Sequence, residues 1–318
     1  MLADTVWKRG HSSAAFRRQQ IPLQYTIGLL PIAWIRFFTM LRLGLTAGGL
    51  VAGAMLASSV AHADGRLEAR YRMSIAGLEL GRASFLLEIG GKGYTASGSA
   101  RVTGVMQAVS SGKGSAGSRG TVERGALSPQ SFAMDAESDK KAEAIRLVLT
   151  ANAVKNVMVE PPTTPAKDRV PVSDDDKKGV LDPMTAALIL VPGTADPLSP
   201  AACDRTLSIF DGRQRYDLTL SYVRTDKVKA EKGYEGPAVV CRVAYRPVSG
   251  HRPSRAGVKY MMENKDVYVW LAPVAGTRVL VPFKVSVATM IGTAEMEALS
   301  FVAEPTGAQP ASATGKKP

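Results

Sequence analysis

Alternation with a period of two runs through most of this chain. Between Arg66 and Ile75, RLEARYRMSI puts Leu67, Ala69, Tyr71, Met73 and Ile75 on one face and Arg66, Glu68, Arg70 and Arg72 on the other. That pattern predicts a half-buried strand with a charged outer face. GRASFLLEIG repeats it with Ala83, Phe85, Leu87 and Ile89, and the AGLELG between them offers Gly77 and Gly81 for a turn. YTASGSARVTGVM predicts a third strand, softened by glycines, and AEAIRLVLTANAVKNVMVEPP resumes with Ile145, Leu147 and Leu149 on one face. Leu207 and Ile209 alternate up to the strong turn pair Asp211-Gly212, after which Tyr216, Leu218, Leu220 and Tyr222 return on one face. PAVVCRVAYRPV, KDVYVWLAP and TRVLVPFKVSVAT predict further strands, and TAEMEALSFVAE a last one that opens with a short turn.

One segment breaks the alternation towards helix. VLDPMTAALILVPG has Asp182 to cap, Pro183 for the first turn and good helix formers after it. Being short and almost wholly apolar, it should pack into the concavity of the sheet or close its end. PPTTPAKDRVPVSDDDKKGV reads as loop. SSGKGSAGSRG has neither the spacing nor the following helix of a phosphate-binding loop, so it reads as a flexible loop or a glycine-rich strand bend. Many strands with little helix predict an all-β fold: a strongly curved antiparallel sheet or partly open barrel with one short packed helix.

The N-terminus sets the compartment. Arg42 precedes an apolar run from Leu43 to Val60, and Ala61-His62-Ala63 then supplies the small residues of a cleavage site before Asp64. This predicts a signal peptide, with Met40 as a natural start for it, over the rival reading of a retained anchor. The expected organisation is a cleaved signal region over 1–63, a single β domain over 64–304 and a disordered tail over 305–318. The expected location is the periplasm, with no stable membrane span after cleavage. The whole chain carries 40 Lys and Arg against 28 Asp and Glu, a net charge of +12. Six of those bases (Lys8, Arg9, Arg17, Arg18, Arg36 and Arg42) and one acid, Asp4, lie in the signal region, so the remainder stays positive. For an exported chain, nucleic acid is not the expected partner, and an anionic envelope surface suits the charge better. The only two cysteines, Cys203 and Cys241, both lie in the exported part, and an oxidising compartment makes a disulfide between them the default.

Several stretches together resemble a known family. CDRTLSIFDGRQRYDLTL, VVCRVAYRPVSGH and VWLAPVAGTRVLVPFKVSVATMIGTAEMEAL, with LDPMTAALIL ahead of them, resemble the bacterial exported proteins grouped as domain of unknown function 3108. The resemblance is strongest from Asp182 to Leu299. It implies an envelope location, no established catalytic residues, and similarity to curved-sheet periplasmic proteins that hold or carry lipidic cargo.

Catalytic readings fare poorly. Of three histidines, His11 and His62 leave with the signal region and His251 stands alone, which removes two-histidine mechanisms and His-rich metal sites. GSAGSRG lacks the strand–turn–helix context of a hydrolase elbow. Asp174, Asp175 and Asp176 lack the spacing of a calcium loop. Asp204, Asp211 and Asp217 flank one hairpin. Asp211 is better used accepting N–H groups of its own turn, and Asp217 with Arg215 should form weak surface pairs. No pattern calls for a cofactor. Binding is the better class: a lipidic or other apolar ligand on the concave face, lined by Tyr71, Phe85, Tyr222, Trp270 and Phe283. The alternatives are a scaffold that binds another envelope protein along an exposed sheet edge and, behind it, a hydrolase.

Overall fold

The computed structural model describes residues 64–306 except 105, 106, 108–110, 124 and 140. The expected signal region, with His11 and His62, and nearly all of the expected tail lie outside the described residues. In chain order the strands are β1 (Asp64–Ile75), β2 (Leu78–Ile89), β3 (Gly93–Val102), β4 (Lys113–Glu123), β5 (Ala126–Ser138), β6 (Lys141–Thr150), β7 (Ala153–Glu160), β8 (Ile189–Leu190), β9 (Arg205–Phe210), β10 (Arg215–Lys229), β11 (Lys232–Gly233), β12 (Glu235–Ser249), β13 (Val267–Pro273), β14 (Val279–Thr289) and β15 (Gly292–Thr306). Helix α1 (Pro183–Ala186) precedes β8, and α2 (Ala256–Glu263) joins β12 to β13.

All of these strands belong to one sheet, ordered β7-β6-β5-β4-β3-β2-β1-β15-β14-β13-β12-β10-β9, with β8 added to β14 and β11 to β15. The first and last strands, β1 and β15, pair antiparallel at its middle, which joins two meanders into one curved surface. Alternation predicted these strands because each must show the core one face. Leu67, Ala69 and Tyr71 are buried on β1, and Ile145, Leu147 and Leu149 on β6, as expected.

No ladder among the described residues joins the edge strands β7 and β9; the segment 161–181 fills the gap between them. Its Leu181 pairs with Ile209 of β9. The Val180 N–H donates to the Asn152 carbonyl, at the β6–β7 turn, at 2.8 Å. Higher up, the Val170 N–H donates to the His251 carbonyl and the Gly250 N–H to the Val170 carbonyl. The result is a partly open barrel, laced along one seam by a strap of irregular chain.

The larger core lies inside this curve and includes Leu67, Leu87, Leu147, Phe210, Phe283 and Phe301. A smaller one gathers Ile189, Val191, Leu220, Val239, Val269 and Leu271 around the disulfide between Cys203 and Cys241. That bridge crosses β10, tying the start of β9 to the middle of β12.

Four features differ from the sequence expectation. Helix α1 is a single turn, because Ile189 and Leu190 leave it to pair with β14 at Leu280 and Val279. A second helix, α2, has no buried residue and no side-chain cap, so it left no pattern to read. The strand β5 was not anticipated, its alternation being interrupted by Pro129 and polar residues. From Lys113 onward the glycine-rich stretch is the strand β4, with a register shift at Arg119–Gly120 rather than a loop.

Its glycines have a structural use. Through the β3–β4 register, Ala96, Gly98 and Ala100 lie opposite Ser118, Ala116 and Gly114, which leaves a shallow face of small residues. Helix α1 packs against β3, β4 and β5 there. Tyr94 is the large exception, and it lies opposite Gly120. A Cβ at Gly120 would come within 2.6 Å of the Tyr94 hydroxyl and 2.2 Å of the Ser128 carbonyl.

Candidate functional site

The most concentrated polar chemistry is buried under α1. Asp182 caps the helix, with Oδ1 accepting the N–H groups of Met184 at 2.9 Å and Thr185 at 3.0 Å. Its Oδ2 accepts the hydroxyls of Thr185 at 2.6 Å and Ser118 at 3.0 Å, and the Tyr94 hydroxyl lies 2.7 Å from that of Thr185. Burial raises the Asp182 carboxyl above the usual carboxylate range, although the hydrogen bonds from Thr185, Ser118 and Met184 pull the other way. A serine, a threonine and an aspartate in contact invite a catalytic reading. Asp182 and Thr185 are 0 % exposed and Ser118 is 4 % exposed, so no substrate reaches them in this conformation. The cluster pins α1 to the sheet.

A second polar centre corrects the expectation for Asp217. It does share a face with Arg215, away from Tyr216, but it is only 3 % exposed. Arg215 donates to it at 2.6 Å, Ser208 donates to it at 3.0 Å, and Arg246 closes over it from the next strand. Burial would raise its carboxyl, yet the bonds from Arg215, Arg246 and Ser208 outweigh that and hold it low. Asp211 behaves as expected: Oδ1 accepts the N–H groups of Arg213 and Gln214 in its own turn. Lys177 and Lys178 pair with Asp174 and Asp175, which leaves that acidic run locally neutralised. Among the described residues no group of three or more His, Cys, Asp and Glu is arranged to hold a metal ion.

The five residues expected to line a ligand do not line one common space. Tyr71, 5 % exposed, and Phe283, 1 % exposed, are part of the larger core, and Phe85 packs against it. The Tyr71 hydroxyl donates to the Pro282 carbonyl. Tyr222 is 43 % exposed. On β13 the smaller core takes Val267, Val269 and Leu271, and Trp270 lies on the opposite face with Tyr268. The Trp270 Nε1–H donates to Asp226, and Lys284 stands 5.7 Å from its ring. Trp270 and Phe283 do share one cleft of about 370 Å³, but Asp226, Lys227, Lys229, Lys284 and Glu297 make it a charged one.

A different cleft, of about 440 Å³, lies along the seam. Val157 of β7, Phe210 of β9 and Pro165, Val170 and Val172 of the strap give it an apolar lining, and Arg169 and Arg213 contribute two guanidinium groups. Those arginines also lace the seam. Arg213 donates to the Pro161 carbonyl at 3.0 Å and to Thr163, and Arg169 donates to the carbonyls of Gly250 and Thr164. Each keeps a buried Nε with no hydrogen-bond partner. The volume falls within the range of small-molecule sites, about 300–1,000 Å³. Sequence reasoning missed this site because its parts are far apart in the chain. The one local signal was Val170 and Val172, alternating inside an otherwise polar loop.

The model of the family described as protein of unknown function (DUF3108) matches residues 70–298. Among solved structures, a β-barrel-like protein of domain of unknown function DUF1849 from Brucella abortus aligns with 75 % of this chain and 97 % of its own at 10 % identity, with a TM-score of 0.42. No curated protein matches the sequence.

Proposed function

The chain belongs to the family of proteins of unknown function DUF3108, and we propose that it is a non-catalytic, exported envelope protein that holds an amphipathic molecule in the seam cleft. The ligand class is an apolar chain ending in an anionic group. One observation carries this reading: an apolar cleft of ligand size that is also lined by the Arg169 and Arg213 side chains. The apolar-ligand expectation is thereby moved from the concave face, where Tyr71 and Phe283 are packed in the core, to the seam. Export is supported by the Cys203–Cys241 disulfide and by the signal-like N-terminus. The Asp182–Ser118–Thr185 cluster is closed to solvent and serves to hold α1.

The chain from Asp64 onward carries the whole described sheet and both cores, so it can be studied alone. Titrated with a fluorescent long-chain fatty acid, it should bind one equivalent saturably and release it to unlabelled fatty acid. Ala166→Trp, which fills the cleft from the strap, should weaken binding by at least about tenfold. If the wild type shows no saturable binding, the seam reading fails. The scaffold reading then leads, resting on the edge strand β7, where Met158 and the neighbouring Val148 are 46 % and 50 % exposed.

A further inference from the structure

Antiparallel pairing decides which turns share an end of the barrel. The β1–β2 turn, the β14–β15 turn and α2 all lie at one end, and the β9–β10 turn beside the seam cleft lies at the same one. Hydrogen bonds tie the first three together. The Ala76 N–H donates to the Thr293 carbonyl at 2.9 Å, and Asn264, just after α2, donates to the Ala288 carbonyl at 2.8 Å. Met290 and Ile291 form the tip of the β14–β15 turn, 65 % and 55 % exposed, with Leu78 at 48 % beside them and Met262 of α2 at 54 %. Scattered exposed hydrophobics need no explanation. Two consecutive ones at a turn tip, where glycine, asparagine or aspartate is usual, with two more on adjacent tips, do need one.

Behind these tips runs a basic row. The register places Lys113, Arg101, Arg82 and Arg72 directly opposite one another across β4, β3, β2 and β1, all exposed on the outer face. Like charges placed directly opposite across strands are unfavourable, so the row works against the sheet that carries it. Neighbouring carboxylates offset it in part: Glu137 lies 3.0 Å from Lys113, Glu79 lies 2.9 Å from Arg82 and Glu297 lies 3.7 Å from Arg72. These are exposed pairs that competing anions can displace, and Arg101 has no ion-pair partner among the described residues. Arg72 is three residues from Ile75 at the turn, about 10 Å at strand rise, comparable to the depth at which interfacial segments sit in a headgroup layer.

We propose that this end docks on an anionic phospholipid surface, with the Leu78, Met262, Met290 and Ile291 side chains entering the headgroup boundary and the basic row meeting the phosphates. The docking face does not depend on the seam cleft being occupied.

Cosedimentation of the chain from Asp64 onward with vesicles tests it. Vesicles of equal phosphatidylglycerol and phosphatidylcholine should bind the protein, and raised salt should weaken that binding. Pure phosphatidylcholine vesicles should bind far less. Replacing both tip residues, Met290→Asn with Ile291→Asn, should cut the partition about tenfold while the folded circular-dichroism spectrum is kept. Arg82→Gln with Arg101→Gln should remove most of the salt dependence. Ala166→Trp should leave docking intact, which separates this proposal from the seam-cleft reading. Equal binding to both vesicle types, or an unchanged partition for the tip variant, overturns it. Concentration-dependent dimerisation without lipid that the tip variant abolishes also overturns it, by assigning the tips to a second copy of the chain.

Discussion

Asp182 shows how one buried side chain can hold a helix that has no length of its own. Four donors converge on its two oxygens, two from the backbone of α1 and two from the hydroxyls of Ser118 and Thr185. Asp182→Ala removes the cap and strands those hydroxyls, for an expected loss of about 2–4 kcal/mol in urea denaturation. Asp182→Asn keeps the shape without the charge and should cost less. Burial sets the sign of the pH dependence. An acid whose pKa is raised on folding stabilises fully below its unfolded value of about 4 and loses that contribution as pH rises through the folded value. The stability advantage of the wild type over Asp182→Asn should therefore be larger at pH 4 than at pH 7. An advantage that does not change with pH contradicts this account of the cluster. The capping role was legible in the Asp-Pro pair, but the partners were not, since Tyr94 and Ser118 arrive from strands far away in the chain.

At the scale of elements, alternation located the strands well where β-branched and aromatic residues mark the buried face, and poorly where small residues do. β1 and β6 follow their sequence pattern, whereas β4 is built from glycine, alanine and serine because α1 needs the room. Alternation alone does not identify the buried face of β13. Both of its faces are apolar, and the Val267–Val269–Leu271 face won the core over Tyr268 and Trp270 because it meets the disulfide cluster. The cystine itself followed from composition and the expected oxidising compartment. It closes a sequence separation of 38 residues, for which chain entropy assigns about 3–4 kcal/mol. Replacing Cys203 or Cys241 by serine should lower the urea midpoint and speed proteolysis, and replacing both should be no worse than replacing one. A double variant much less stable than either single one would contradict a contribution that comes from the bond alone.

For the whole molecule, strand count and the scarcity of helix were enough to predict a curved antiparallel sheet. They could not show where it would stop. Closure depends on the strap at 161–181, whose composition reads as loop but whose backbone reaches Asn152 on one side and Ser208 and Phe210 on the other. That long-range meeting also creates the seam cleft, so the candidate site was invisible for the same reason as the closure. The central claim is that this cleft holds an amphipathic anion, and the most direct measurement is native mass spectrometry of the protein released gently from the cell envelope. The account predicts one bound amphiphile per chain in the wild type, lost on mild activation, and a bare chain for Ala166→Trp prepared identically. A wild type that carries nothing, or an Ala166→Trp variant that carries the same adduct, would contradict it.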